Sequence, residues 1–467
     1  MEKLDKKLRN GIFTVFLANI INLFFSLSTN LLLPKYLSVE TYAGIKTFQL
    51  YVSYVGLLHF GYIDGMYLKY GGVNLKKDID KGFALNISTM RIFELTVTVI
   101  ITIIALLTRD WTMILFAISV FPQNLSSYYQ LLYQATGEFA LYGRVMNFST
   151  IGTFVVNMFL LFLLHCDTDI WYIFFYVILY YLIWVILEVN FRKNHSFERG
   201  KLFSWSELKR NIQDGILLTL GNLASMIQNG MDSWFVKFLM DVASFAQYSF
   251  AVSVGNFVNL AVTPITITLY NYFCREKSVE KQRELTRKIF IFATVLPSTA
   301  FLVKLILEVY LQHYITSVYV IFGLFASQMF NIIIRSVFIN LYKVKRKQNI
   351  YFLKLIFVLI LGFVFNIVCY QILHVKEAFA IGTLLSSLIW YIISTSDFKY
   401  LKITVKDNIY LLISMTVFLF TGFFLESIVG MVTYLVINFI LLLLFMRSTL
   451  INLIGFVKRA VFKVIKK

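Results

Sequence analysis

Apolar residues in this chain fall into about fourteen runs of roughly 20 residues, separated by short charged segments. That is the repeat length a bilayer imposes on helices that cross it. The runs cover residues 12–33, 42–62, 83–107, 111–134, 145–165, 170–190, 212–237, 244–272, 289–308, 314–341, 350–373, 378–395, 409–426 and 429–446. The pattern predicts an all-α integral membrane protein. Its longest charged interval, residues 191–211, divides the first twelve runs into two sets of six. An N-terminal six-helix lobe over 1–190 and a C-terminal one over 212–396 are therefore expected, followed by two extra helices and a basic tail over 397–467.

Positive charge orients the pattern. With both termini inside, only Lys35, Arg109 and Lys376 of the 43 lysines and arginines fall in outside segments. Lys46, Arg91, Lys237, Lys304, Arg335 and Lys354 lie within spans or at their ends, and all the others lie inside. This is a strong positive-inside bias, and it places both termini and the 191–211 loop in the cytoplasm. It also accounts for the net charge of +18 without nucleic acid. Basic segments such as 275–288 and 458–467 belong against anionic lipid headgroups.

Composition agrees with the membrane reading. Of 467 residues, 59% are hydrophobic and 15% charged, and the mean hydropathy is +0.74. A soluble chain could not cover that much apolar surface. The basic start runs into the first apolar segment without a small-residue cleavage site, which predicts an uncleaved first helix. Cys166, Cys274 and Cys369 are far apart, and the five histidines form no HExxH. No metal, disulfide framework or cofactor is expected.

An internal repeat lies beneath the pattern. Asn19, Asn22, Ser26 and Asn30 in the first run match Asn222, Ser225, Asn229 and Ser233 in the seventh at a constant offset of 203 residues. Each set follows i, i+3, i+7, i+11, which puts four polar groups on one helix face. The offset spans an even number of helices, so the two copies run in the same direction. Parallel repeats of this kind are one of the standard transporter architectures, with the substrate site between the halves.

Other spans carry polar faces too: Arg91, Glu94, Thr98 and Thr102; Ser249, Ser253 and Asn256; Gln328, Asn331 and Arg335. Charge facing lipid is costly, so such faces point to a cavity or a partner helix. At 1.5 Å per residue Arg91 lies roughly 12 Å, and Arg335 roughly 9 Å, from the inner end of its helix. Lys46 and Lys304 lie near outer ends, where lining a cavity and snorkelling both remain open, and Lys354 lies beside a basic loop. Glu94, one turn from Arg91, either pairs with it or serves as an ion-coupling acid, and Asp232, near the outer end of the seventh run, reads equally as a structural cap or an ion-coupling acid. Pro122, Pro264 and Pro297 are expected to kink their helices. Gly65, Gly71 and Gly72, near Asp64 in an inside segment, read as turn residues.

Three stretches carry a family resemblance. Leu33-Pro34-Lys35-Tyr36-Leu37-Ser38-Val39-Glu40-Thr41-Tyr42-Ala43-Gly44 resembles the first outer loop of bacterial polysaccharide flippases. Gly61-Tyr62-Ile63-Asp64-Gly65-Met66-Tyr67-Leu68-Lys69-Tyr70-Gly71-Gly72 is similar to the end of helix 2 in Wzx-like members, and Tyr133-Gln134-Ala135-Thr136-Gly137-Glu138 fits the turn after helix 4. The resemblance implies the MOP exporter fold in a bacterial inner membrane. It also implies an undecaprenyl-diphosphate-linked oligosaccharide as cargo, carried to the outer leaflet for lipopolysaccharide or capsule synthesis, with a polysaccharide polymerase as a further partner.

For such a substrate, Arg91 and Arg335 suit the diphosphate, and Lys46 is a further substrate-binding candidate. Asn19, Asn22, Ser26, Asn222, Ser225, Asn229, Asn256, Gln328 and Asn331 suit sugar hydroxyls. The first run carries no charge, unlike lipid II flippases with their arginine-rich helix 1 and multidrug exporters with an acid there. Those two activities remain the alternatives on the same fold. A polytopic polysaccharide polymerase is a weaker one, because no outside loop has room for a catalytic site.

Overall fold

A computed structural model describes residues 21–71, 73, 81–136, 139–194 and 201–451. All regular structure among them is helical. The chain divides into two compact units, Met1–Gly230 and Met231–Lys467.

In the first unit, α1 (21–36) leads to α2 (Val39–Val52), α3 (Tyr62–Lys69), α4 (Lys81–Thr108), α5 (Trp111–Ala135), α6 (Phe139–Met158) and α7 (Asp169–Asn194). Helix α8 (Trp205–Leu239) contains the boundary residue Gly230. The second unit continues with α9 (Val242–Arg275), α10 (Val279–Val295), α11 (Thr299–Val309), α12 (Val318–Ile333) and α13 (Ile339–Val344). It ends with α14 (Gln348–Leu373), α15 (Glu377–Asp397), α16 (Val405–Phe424) and α17 (Ser427–Phe445). Among the described residues, nine helical segments are long and apolar enough to cross a membrane. The other expected spans are α2 with α3, α5, α6 and α8, whose polar faces or shorter runs dilute the hydropathy signal, and the first, of which only 21–36 lies among the described residues.

Helix boundaries follow local chemistry. Ser38 caps α2, Asp110 caps α5, Asp241 caps α9, Ser278 caps α10, and Thr404 with Asp407 forms a capping box on α16. These side chains satisfy the orphan N–H groups of the first turn. The expected second span is not continuous. It breaks after Val52, and α3 begins only after Gly61, whose φ of +93° favours glycine. Pro297 stands in a short 3-10 turn between α10 and α11. By contrast, α5 and α9 run on through Pro122 and Pro264.

The glycines of the second span do more than turn the chain. Gly61 and Gly65 lie against Gly215 of α8 so closely that a Cβ on Gly65 would stand 2.0 Å from the Asn211 carbonyl oxygen. One on Gly215 would stand 2.0 Å from that of Gly61. Four-residue spacing of small residues is how membrane helices bring their backbones together. The expected turn at Gly65 is thus a helix crossing, because residues 62–69 continue as α3.

The first unit's core gathers Tyr62, Phe83, Tyr128, Tyr129, Leu187, Phe191 and Leu208 from α3, α4, α5, α7 and α8. In the second unit the α12 span is the central one, with 83% of its apolar stretch buried. A buried polar network ties α16 and α17 to α10. Tyr410 Oη and Ser414 Oγ donate to Asn438 Oδ1 (2.9 and 3.2 Å), and Tyr434 Oη donates to the Thr294 carbonyl (2.6 Å).

Candidate functional site

The polar faces resolve into distinct clusters, one per region of each unit. In the first unit, Asn22 and Ser26 are half-buried on α1. Asn22 Oδ1 is buried without a hydrogen-bond partner, and Asn30 Nδ2 donates to the Ser26 carbonyl at 2.8 Å. Asn19 lies outside the described residues. Asn30 also accepts from Lys46 Nζ of α2 at 2.9 Å, and Gln49 Oε1 accepts from the same ammonium at 3.1 Å. The ammonium stands 5.3 Å from the centre of the Tyr42 ring. Lys46 is therefore buried and held by neutral groups of α1 and α2.

Arg91 has a different setting. Its Nη2 pairs with Glu188 Oε1 of α7 at 2.5 Å and reaches Tyr129 Oη at 3.4 Å. Glu188 also accepts from Arg192 Nε and from Tyr129 Oη, both at 2.5 Å. The expected Arg91–Glu94 pair does not form. Glu94 is fully buried and accepts instead from Asn124 Nδ2 of α5 at 3.0 Å. Two buried acids, placed on different helices, thus divide the roles that sequence spacing assigned to one.

Glu188 then predicts an energetic coupling. Removing Glu188 leaves the half-buried Arg91 guanidinium with Tyr129, and removing Arg91 leaves Glu188 with Arg192 and Tyr129. Each loss of a charged hydrogen bond costs about 1.5–3 kcal/mol, and in a coupled pair the double change costs less than the sum. Arg91→Ala combined with Glu188→Ala is expected to lower the melting temperature of the purified protein by less than the sum of the two single changes. Additive losses would show that the pair carries no coupling.

At the N-terminal end of α8, Glu207 accepts from Asn86 Nδ2 at 2.7 Å and Asn211 Nδ2 at 3.3 Å, and pairs with Lys69. Burial works to raise its carboxyl pKa, but Lys69 and the two amides outweigh it and hold the group below the usual carboxylate range. Asp64 accepts from Thr219 Oγ1, binding α3 to α8 beside the glycine crossing.

Along α8, Asn222 and Asn229 are exposed and Ser233 is buried; the Ser225 side chain lies outside the described residues. In the second unit Asp232 is buried and accepts from Tyr248 Oη at 2.7 Å and the Ser233 N–H at 2.8 Å. A third cluster joins α9 to the α12 span. Arg335 Nη1 donates to Asn259 Oδ1 at 2.6 Å, and Asn259 Nδ2 donates to Asn256 Oδ1 at 3.3 Å. Arg335 stands in a π-helical turn, Ile334–Phe338, the kind of bulge that re-aims a side chain and recurs at functional sites. Gln328 and Asn331 are half-buried two turns and one turn before it, on the same face.

Lys304 and Lys354 are structural. Lys304 is buried and donates to the carbonyls of Gly422 (2.8 Å) and Leu425 (2.6 Å), capping the end of α16. Lys354 pairs with Asp397, which also accepts from Tyr342.

Sequence reasoning did not single out Asn259 or Glu188. Asn259 lies one turn beyond Asn256, so extending that face by i+3 finds it. Glu188 gave no comparable signal, because an acid near an inner helix end looks like an interfacial residue until Arg91 and Tyr129 are brought to it.

The sequence matches no protein-family model, and no curated protein matches it. Solved structures do. The chain is similar to the lipid II flippase MurJ in an inward closed conformation, with a TM-score of 0.70 and 12% identity, over 94% of this chain and 99% of that one. It is also similar to a multidrug resistance MATE family transporter of the MOP superfamily in an inward-facing conformation, with a TM-score of 0.50 and 13% identity, over 83% of this chain and 96% of that one. The chain is a multi-pass membrane protein with the MOP-type all-α fold.

Proposed function

We propose that this protein is a transporter that carries an undecaprenyl-diphosphate-linked oligosaccharide from the inner to the outer leaflet, working by alternating access between the lobes 1–190 and 212–396. The observation that carries this reading is the cluster of Asn256, Asn259 and Arg335. It sets a guanidinium on a face of neutral amides at a π-helical turn, which suits an anionic diphosphate with a polar glycan attached. The MOP-type fold supports it, since every compared structure named above is a flippase or transporter.

In this reading Arg335 holds the diphosphate, and Lys46 and Arg91 are its counterparts in the first lobe. Arg91 enters this role already paired with Glu188. Asn22, Ser26, Asn222, Asn229, Gln328 and Asn331 meet the sugar, while Glu94 and Asp232 couple transport to an ion. The protein lies in a bacterial inner membrane with both termini in the cytoplasm, and hands its cargo to a polymerase. The similarity to MurJ keeps lipid II as the second reading; the uncharged first helix speaks against it.

Deleting the gene separates the readings. Lipid-linked repeat units trapped inside the cell are the expected outcome. Unpolymerised units displayed outside would mark a polymerase, and drug sensitivity alone an exporter of small molecules.

A further inference from the structure

Helix α4 has two contrasting faces. Leu95, Val99, Ile103 and Leu106 are exposed apolar groups, while Glu94 and Thr98 are buried. Opposite Glu94, Asn124 of α5 is likewise completely buried. One hydrogen bond joins the two groups, from Asn124 Nδ2 to Glu94 Oε2 at 3.0 Å. The second oxygen of each, Glu94 Oε1 and Asn124 Oδ1, is buried with no hydrogen-bond partner.

An ionised carboxylate only accepts hydrogen bonds, and so does an amide oxygen. The pair would then leave two buried acceptors without a donor from the protein, which is an expensive state. A carboxylic acid and a primary amide, by contrast, are self-complementary. The amide N–H donates to one carboxyl oxygen while the acid O–H donates to the amide oxygen. A single proton on Glu94 Oε1 supplies the donor that Asn124 Oδ1 lacks.

Neighbouring charge does not do this instead. Arg91, one turn earlier on α4, turns its Nη2 to Glu188 of α7 and Tyr129 of α5, and its Nε, though buried without a partner, makes no bond to Glu94 or Asn124. Tyr128 of α5 donates to Asn86 Oδ1, and Tyr129 also donates to Glu188. A metal ion fits poorly. The orphan oxygens here are those of Glu94, Asn124 and the Thr98 hydroxyl, too few for a hard cation's shell. No group of three or more His, Cys, Asp or Glu able to hold a metal occurs among the described residues.

We propose that Glu94 is a proton-binding site, holding a proton that it shares with Asn124 as an acid–amide pair between α4 and α5. On loading, Oε1 takes a proton from water and its O–H donates to Asn124 Oδ1. On release, the proton returns to water and the O–H bond to the amide is lost, so the two helices lose one of the two bonds that join these side chains. The proton's use as the coupling ion rests on the transporter reading above; the chemistry of the pair does not.

Infrared difference spectra of the full-length protein in lipid nanodiscs, taken without any substrate, test this directly. The protein is expected to show the carbonyl band of a protonated carboxylic acid, sensitive to deuterium exchange. Glu94→Gln should lose that band while keeping the melting temperature, because an amide preserves the bond to Asn124. Glu188→Gln should leave it in place. Asn124→Ala should retain the band but shift it to higher frequency, since the acid loses its acceptor; this arm stands if the Glu94 variant fails to fold. A band that survives Glu94→Gln, or one unmoved by Asn124→Ala, would overturn the proposal. So would its disappearance when sodium is added at constant pH. None of these readouts depends on transport, so their failure is distinguishable from failure of the flippase reading.

Discussion

Arg335→Ala is expected to lower transport of a diphosphate-linked lipid by about ten- to hundredfold. A hydrogen bond to a charged partner contributes about 1.5–3 kcal/mol, and 1.4 kcal/mol is a factor of ten. The guanidinium is placed by the π-helical turn Ile334–Phe338 and steadied by Asn259 at 2.6 Å. Because a planar fork meets two phosphate oxygens and an ammonium does not, Arg335→Lys should fall between wild type and the alanine variant. Uptake into proteoliposomes with matched amounts of folded protein makes the measurement. Full activity in Arg335→Ala would remove this residue from the substrate path.

Gly215→Ala should cost the first unit much of its stability. The added Cβ would lie 2.0 Å from the Gly61 carbonyl oxygen and 2.3 Å from the Gly65 nitrogen, both backbone atoms that no rotamer change can move aside. Overpacking of this kind costs about 1–3 kcal/mol even in side-chain cores, so a fall in melting temperature of about 5 °C or more is expected. Gly221→Ala, two turns along the same helix, has nothing within 4 Å of its new Cβ. That change should be neutral or slightly stabilising, since alanine is the better helix former. Equal behaviour of the two variants would mean that α3 and α8 do not cross as described.

Most of the fold is written in the spacing of apolar runs and basic loops, because the bilayer sets one length scale and insertion sets one sign of charge. The break in the second span was not legible that way. Val52, Ser53 and Phe60 read as part of an unbroken apolar run, and only the backbone shows that the helix stops after Val52 and resumes after Gly61. Polar faces were legible as faces, since helical periodicity aligns Gln328, Asn331 and Arg335 whatever surrounds them. Their partners were not.

Arg91 and Glu94 are one turn apart and looked like a pair, yet contacts between helices took Arg91 to Glu188 and Glu94 to Asn124. Sequence proximity measures only the local term, and a buried charge settles with whichever neighbour satisfies it best. Lys304 makes the same point. Its place near a helix end suggested snorkelling or a cavity, and it instead serves the carbonyls at the end of α16.

The central claim is that the chain moves a diphosphate-linked glycolipid between leaflets. It is tested most directly by reconstituting the purified protein into vesicles containing an undecaprenyl-diphosphate oligosaccharide in both leaflets. The fraction of glycan open to a membrane-impermeant oxidant is then followed over time. The account predicts that exposure rises beyond the outer-leaflet fraction toward completion with wild-type protein, and stays at that fraction in protein-free vesicles. Exposure that stays at the outer-leaflet fraction with folded wild-type protein present would contradict it.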